Sequence, residues 1–272
     1  MSKSSISISE ITKVKIILSH DVDHLFLTEH WKDRFIPGLV VKSLRSLLKG
    51  DLSLNGFLRR FSHRLHRIPE LIEFNSSHNA PTNFFFGMDN GLSLSYSYKK
   101  AAPVIQSLHR DGHFIGTHGM AYDDKKSMLE EKRRLDSILG VKVKGIRNHY
   151  LRQSANTQRF MAELNYHFDS TDRGLFDPIE KDGIFSIPIS VMDVDVIRQG
   201  VSADASLKST LDILDEAIEK NLKYFVINFH DLYFDSVSYP TFYHWYTELV
   251  KECQARGFEF TDFNFVLQEQ KS

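Results

Sequence analysis

The 272-residue chain is 42% hydrophobic and 25% charged with a formal net charge of −1, the make-up of an ordinary globular protein long enough to bury a sizeable core. That balance lacks the basic excess of a nucleic-acid binder, and a single cysteine, Cys253, excludes an intramolecular disulfide framework and suits a reducing compartment. No apolar run approaches the roughly 18 residues of a membrane span, and the opening MSKSSISISEITK lacks the apolar centre of an export signal, so a cytoplasmic location is expected.

In chain order, short β-branched or aromatic runs fall at residues 14–18, 83–87, 114–117, 141–147, 166–170, 184–189, 224–229 and 258–265. Between them lie stretches with apolar residues three and four apart: KKAAPVIQSLHR, KSMLEEKRRLDSILG, NTQRFMAELN, SLKSTLDILDEAIEKN and TFYHWYTELVKECQARG. This alternation predicts βα units around a mainly parallel sheet or barrel. With no Pro/Gly-rich linker and no repeat, one domain over 1–272 is expected. Residues 31–68 break the rhythm and predict a helical insertion. Within it, residues 42–67 carry seven Lys/Arg against the single acid Asp51. Two readings fit that segment: solvated accessory helices, or a docking surface for an anionic membrane or an acidic glycan.

In parallel α/β folds the loops at one end of the strands converge on a shared mouth. Five predicted strand ends carry ionisable groups: His20-Asp21-Val22-Asp23-His24, His118-Gly119, Arg147-Asn148-His149-Tyr150, Asp169-Ser170-Thr171-Asp172 and His230-Asp231. Any one of them is explicable as an exposed polar terminus, but five together predict one active site. Carboxylates and imidazoles in a common cleft can hold a divalent ion such as Zn²⁺, Co²⁺ or Fe²⁺, with another carboxylate and imidazole left for proton transfer. Metal-assisted hydrolysis of an amide or ester is the reaction class expected. The motif Met192-Asp193-Val194-Asp195 repeats an Asp-x-Asp spacing and is read as structural ahead of a cleft wall or a substrate contact, and the aromatic residues Tyr243, Trp245 and Tyr246 as helix packing.

The ordered stretches HDVD, HGMAY, RNHY, DSTD and NFHD, spanning about residues 14–235, resemble the motifs of the polysaccharide deacetylases, the NodB-homology or carbohydrate esterase four family. The resemblance implies a distorted (β/α)7-type barrel and a metal-dependent hydrolase that removes an acetyl group from an N-acetylated saccharide. It matches Asp21 to the catalytic base, Asp23 to the metal carboxylate, His118 to a metal imidazole and Arg147 to the residue orienting the base. It matches His230 to the general acid, with Asp169 or Asp172 orienting it, and places an oxyanion donor in the backbone near Tyr150.

Two positions depart from the family pattern. Tyr122 stands where a second metal-binding His is usual, and His149 stands where a Pro is usual. His149 is therefore expected to supply the missing imidazole, ahead of His24, His78 and His113, while Tyr122 and Tyr150 are expected to contact substrate. A phenolate ligand at Tyr122 would require a large fall from a pKa of about 10. Together with the absence of an export signal, the resemblance implies an intermediate of bacterial surface-polysaccharide metabolism as substrate. The alternatives are a hydrolase of non-sugar amides and a catalytically inactive glycan-binding relative.

Overall fold

The computed structural model describes residues 14–198 and 200–270, so the MSKSSISISEITK stretch lies outside the described residues. Strand β1 (Lys15–Val22) is central and buried along most of its length. It pairs in parallel with β2 (Thr82–Gly87) on one side and, on the other, with β9 (Tyr224–Asn228), while β10 (Glu259–Thr261) joins its first residues. From β2 the sheet continues in parallel through β3 (Phe114–Gly119), β4 (Gly145–Asn148), β5 (Phe168–Asp169) and β7 (Ile184–Ser186). An antiparallel β6 (Ile179–Lys181) closes that edge, and β8 (Val191–Met192) pairs with β9 at the other. The result is a curled sheet of mainly parallel strands, an incomplete barrel whose two edges are β6 and β8.

Period-two alternation gives the strands their functional logic. Ile16, Leu18, Phe84, Phe86 and Ile227 belong to the large core shared with the surrounding helices. Their neighbours Ile17, Phe85, Phe114, Phe168 and Val226 belong to a second, smaller core capped by Phe263, Val266 and Leu267. Continuing along that second face, Ile17 is followed by Ser19, Asp21 and Asp23, and Val226 by Asn228 and His230. One surface of the sheet thus runs from an apolar floor to a polar mouth.

All eight expected strand runs contain a strand, with two departures. Residues 141–144 form a loop because Gly140 ends the preceding helix in the left-handed region (φ 71°), and the Val143 N–H is taken by Asp136. Residues 262–265 begin a helix, Phe263–Glu269, because Asp262 caps it by accepting from the Phe265 N–H at 2.8 Å. The insertion holds two helices, α1 (Phe35–Leu48) and α2 (Leu54–Arg59), followed by Ile68–Ser77. Among the described residues, no helix is long and apolar enough to cross a membrane.

Candidate active site

A cleft of about 480 Å³ opens at the mouth of the sheet, lined by Asp21, Asp23, His118, His149, Tyr150 and His230 from the strand ends and by Arg34, Phe35, Leu39 and Lys42 from the insertion. At its base lies Arg147, fully buried with its guanidinium 4.3 Å over the Phe85 ring. Its Nη1 donates to Asp21 Oδ1 at 2.9 Å and to Asn228 Oδ1 at 2.7 Å, its Nη2 to the hydroxyls of Ser19 and Ser170, and its Nε to the Ser170 carbonyl. Asp21 accepts on its other oxygen from Asn228 Nδ2 at 2.7 Å. Burial pushes the Asp21 carboxyl up, but Arg147, His118 and His230 together outweigh it and hold the pKa at about 2. Gly116 makes room for this arrangement, since a Cβ there would stand 2.6 Å from the Phe85 ring on which Arg147 rests.

Above this pair, Asp23, His118 and His149 offer three ligand atoms, all within 4.8 Å of one another. Asp23 Oδ1 is 3.3 Å from His118 Nε2 and 3.4 Å from His149 Nδ1, and the two nitrogens are 3.0 Å apart. The far side of each ring fixes its tautomer. His118 Nδ1 lies 3.1 Å from the Arg147 carbonyl and His149 Nε2 lies 3.1 Å from the Leu92 carbonyl, so both must donate there. In their neutral forms both rings therefore turn bare lone pairs toward each other and toward Asp23 Oδ1, a buried oxygen with no hydrogen-bond partner among the described residues. Three mutually facing acceptors are repulsive unless a cation or an added proton lies among them. Ligands at about 2.0–2.1 Å from a tetrahedral Zn²⁺ stand roughly 3.3 Å apart, which matches the observed spacing. The donor set and its hydrogen-bonded outer partners thus fit a divalent ion. Asp23 is held well below the usual carboxylate range: burial raises it, but the two imidazoles lower it more.

His230 completes the cleft. Its Nδ1 donates to Asp193 at 2.9 Å and its backbone N–H to the same carboxylate at 2.7 Å, while its Nε2 points toward Asp23 at 3.8 Å. Burial lowers the imidazole pKa, but Asp193, Asp23 and Asp21 raise it to about 10. This corrects the expectation that Asp169 or Asp172 orients His230. Asp169 is spent on the Thr171 backbone and hydroxyl beneath Arg147, and Asp172 is bound by Lys181, Ser186 and Gln153. Asp193, read as structural, stands at the start of a short helix directly after β8, which pairs with β9 and so brings Asp193 beside His230. Asn228 was the other residue missed, although its place two before His230 on an extended strand puts both on one face.

Tyr122, expected to contact substrate, stands outside the cleft that Asp23, His118, His149 and Tyr150 line. Its ring packs under Arg152 and its carbonyl accepts from Thr157, in a turn anchored by Glu131, which accepts from the Met120 and Ala121 N–H groups. Tyr150 lines the cleft with its side chain 66% exposed and its backbone in the left-handed region (φ 56°). Of the other imidazoles, His24 lines the cleft but engages His30, which in turn engages Asp33. His78 ends a helix against Phe74, and His113 packs on Phe84, so neither reaches the three-ligand group.

No family model matches the chain. Over 162 residues, 55% of its length, it is 26% identical to a chitin deacetylase of Arthroderma benhamiae, and it spans about two-fifths (41%) of that relative. Among solved structures, it superposes on the PuuE allantoinase with a TM-score of 0.66 (14% identity, 95% of this chain and 89% of that one). A protein described as a polysaccharide deacetylase from Pseudomonas aeruginosa PAO1 gives 0.65 (16% identity, 95% and 90%). The resemblance to polysaccharide deacetylases and the NodB-like fold are both borne out by these neighbours.

Proposed function

We propose that the protein, taken as one catalytic domain over 1–272 with its insertion at 31–68, is a metal-dependent hydrolase that removes acetyl groups from an N-acetylated saccharide. The observation that carries this reading is the convergence of the lone-pair atoms of Asp23, His118 and His149 between two differently tuned groups, the anionic Asp21 and the cationic His230. A divalent ion held by those three residues, most naturally Zn²⁺ with Co²⁺ or Fe²⁺ as alternatives, would polarise the acetyl carbonyl and acidify water beside it. Asp21, kept ionised and oriented by Arg147 and Asn228, takes the proton of the attacking water. A carboxylate with a pKa of about 2 is a weak base, so this transfer depends on that acidification. The backbone N–H near Tyr150 serves as the protein's donor to the developing oxyanion. His230, protonated and held by Asp193, gives its proton to the departing amine, so the amide and water become a free amine and acetate.

The similarity to a chitin deacetylase supports a sugar substrate, and we place it among intermediates of surface-polysaccharide metabolism in the cytoplasm, a location that suits the lone buried Cys253. A second reading rests on a specific observation: the allantoinase superposes as well as the deacetylase does, so a non-sugar amide fits the fold equally. The inactive glycan-binding alternative is disfavoured by the two buried acid–base pairs, which sugar binding alone does not require. Acetate release from N-acetylated mono- and oligosaccharides, run beside allantoin and small linear amides, tests the proposal. Turnover of the amides alone would replace the substrate class; turnover of nothing by the metal-loaded protein would restore the binding reading.

A further inference from the structure

The helix α1 that walls the cleft has a second face that the described residues leave exposed. Leu39 and Ser43 are its buried residues, and Leu39 and Lys42 line the cleft. At about 100° per residue, Val41, Leu44 and Leu48 fall within one narrow stripe turned away from Leu39 and Ser43. All three are exposed, Leu48 to 86%. Leu54 and Leu58 sit one turn apart on α2, which packs beside α1, and are 63% and 61% exposed; Trp31, just before α1, is 85% exposed. These six are half of the twelve exposed large hydrophobic residues in the described chain, gathered within residues 31–58. Beside the stripe on α1 stands Arg45, with Lys49 at its end, and no carboxylate of the described residues pairs with either.

From this juxtaposition we infer that residues 31–58 dock on the surface of an anionic phospholipid bilayer. Apolar residues on one helical stripe with cations along its margin are the pattern of a helix lying in the headgroup layer, and an exposed Trp is a common anchor at that depth. An acidic glycan would satisfy the cations but would leave the apolar chains in water, which makes it the poorer occupant. Because the opposite side of α1 forms a wall of the cleft, docking brings the cleft to within about one helix diameter of the membrane. If the deacetylase reading holds, its saccharide is then presented on a lipid carrier; the docking itself does not depend on that reading.

The chain carries its own reporter. Of its two tryptophans, Trp31 is exposed and Trp245 is fully buried. Phosphatidylcholine vesicles containing phosphatidylglycerol should shift the emission to the blue and shield it from acrylamide, an effect lost in Trp31→Phe and weakened by salt, while pure phosphatidylcholine gives much less. In flotation with the same vesicles, Leu44→Glu/Leu48→Glu and Arg45→Glu/Lys49→Glu should each bind roughly tenfold more weakly or worse. Both pairs should retain wild-type acetate release from soluble saccharides, which separates failure of docking from failure of the catalytic reading. The inference falls if wild type neither floats nor shifts. It also falls if Leu44→Glu/Leu48→Glu floats like wild type, if that variant instead dissolves a dimer seen in wild type, or if heparin binds through Arg45 and Lys49 without regard to Leu44 and Leu48.

Discussion

His118 Nε2 and His149 Nδ1 face each other at 3.0 Å, each ring already committed to donating a proton from its far nitrogen to a backbone carbonyl. Without a metal, that contact needs an extra proton on one imidazole, and Asp23 raises the His149 pKa despite burial, which makes His149 its host. Metal binding must displace that proton, so affinity should weaken as pH falls and calorimetry in buffers of different ionisation heat should show release of about one proton per ion. Asp23→Ala, His118→Ala and His149→Ala should each lower affinity by roughly a hundredfold or more, measured by competition with a chelating dye. Retention of a stoichiometric ion by all three variants would place the metal elsewhere.

The Asp193 carboxylate gives a different kind of test. Asp193→Asn removes the charge that most raises the His230 pKa, so the imidazole should lose its proton at a lower pH than the roughly 10 of the native site. For a general acid that moves the alkaline limb of kcat downward, with kcat falling about a hundredfold at neutral pH. Asp172→Asn, by contrast, should leave that limb where it is, because Asp172 serves Lys181 and Ser186. Equal displacement by both substitutions would remove Asp193 from its assigned role.

Much of this was written in the chain. The strand runs at 14–18, 83–87 and 224–229 are mostly apolar, without strict alternation, because parallel strands in this sheet are covered on both faces, and the Asp21/Asp23 spacing puts both carboxylates on one side. Asp193 was illegible as the partner of His230 because its position depends on the two-residue pairing of β8 with β9, too short to leave a periodic signal. The helix at Phe263–Glu269 was hidden by aromatic residues that look strand-like, although an aspartate followed by Phe263, Val266 and Leu267 at helical spacing was the available clue. The place of Tyr122 outside the cleft was illegible because motif order locates a residue along the chain but says nothing of a turn that Glu131 pulls aside.

Arg147 should be costly to lose in a way that depends on its partner. Arg147→Met keeps the packing on Phe85 but strands the Asp21 carboxylate in a buried site, with an expected loss of about 3–5 kcal/mol in urea unfolding and no measurable activity. Adding Asp21→Asn should recover a substantial part of the stability and none of the activity. Simple addition of the two losses would mean that the pair is not coupled.

Glu131 contributes a pH dependence of stability with a defined sign. Burial raises its pKa from 4.5 to about 7 even though two backbone N–H groups favour the charged form. The folded state therefore binds its proton more tightly than the unfolded chain does. This contribution is complete below pH 4.5 and is lost as pH climbs to about 7, by an amount of the order of 3 kcal/mol. Glu131→Gln should flatten that part of the stability profile in denaturant titrations, whatever its effect on the absolute level. An unchanged slope would assign the dependence to the other buried carboxyls with raised pKa values, Asp169 and Asp231.

The bond from Asn228 to Asp21 joins residues 207 apart in sequence, and β1 must pair with β9 before it exists. During synthesis β1 emerges first and waits, one of its edges open, until the last quarter of the described chain arrives to cover it. Such long-range parallel pairing is slow and leaves an apolar strand available to the wrong neighbour. The nascent chain therefore lacks the complete proposed site until late, since Asn228 and His230 join Asp21 and Arg147 only when β9 slots in.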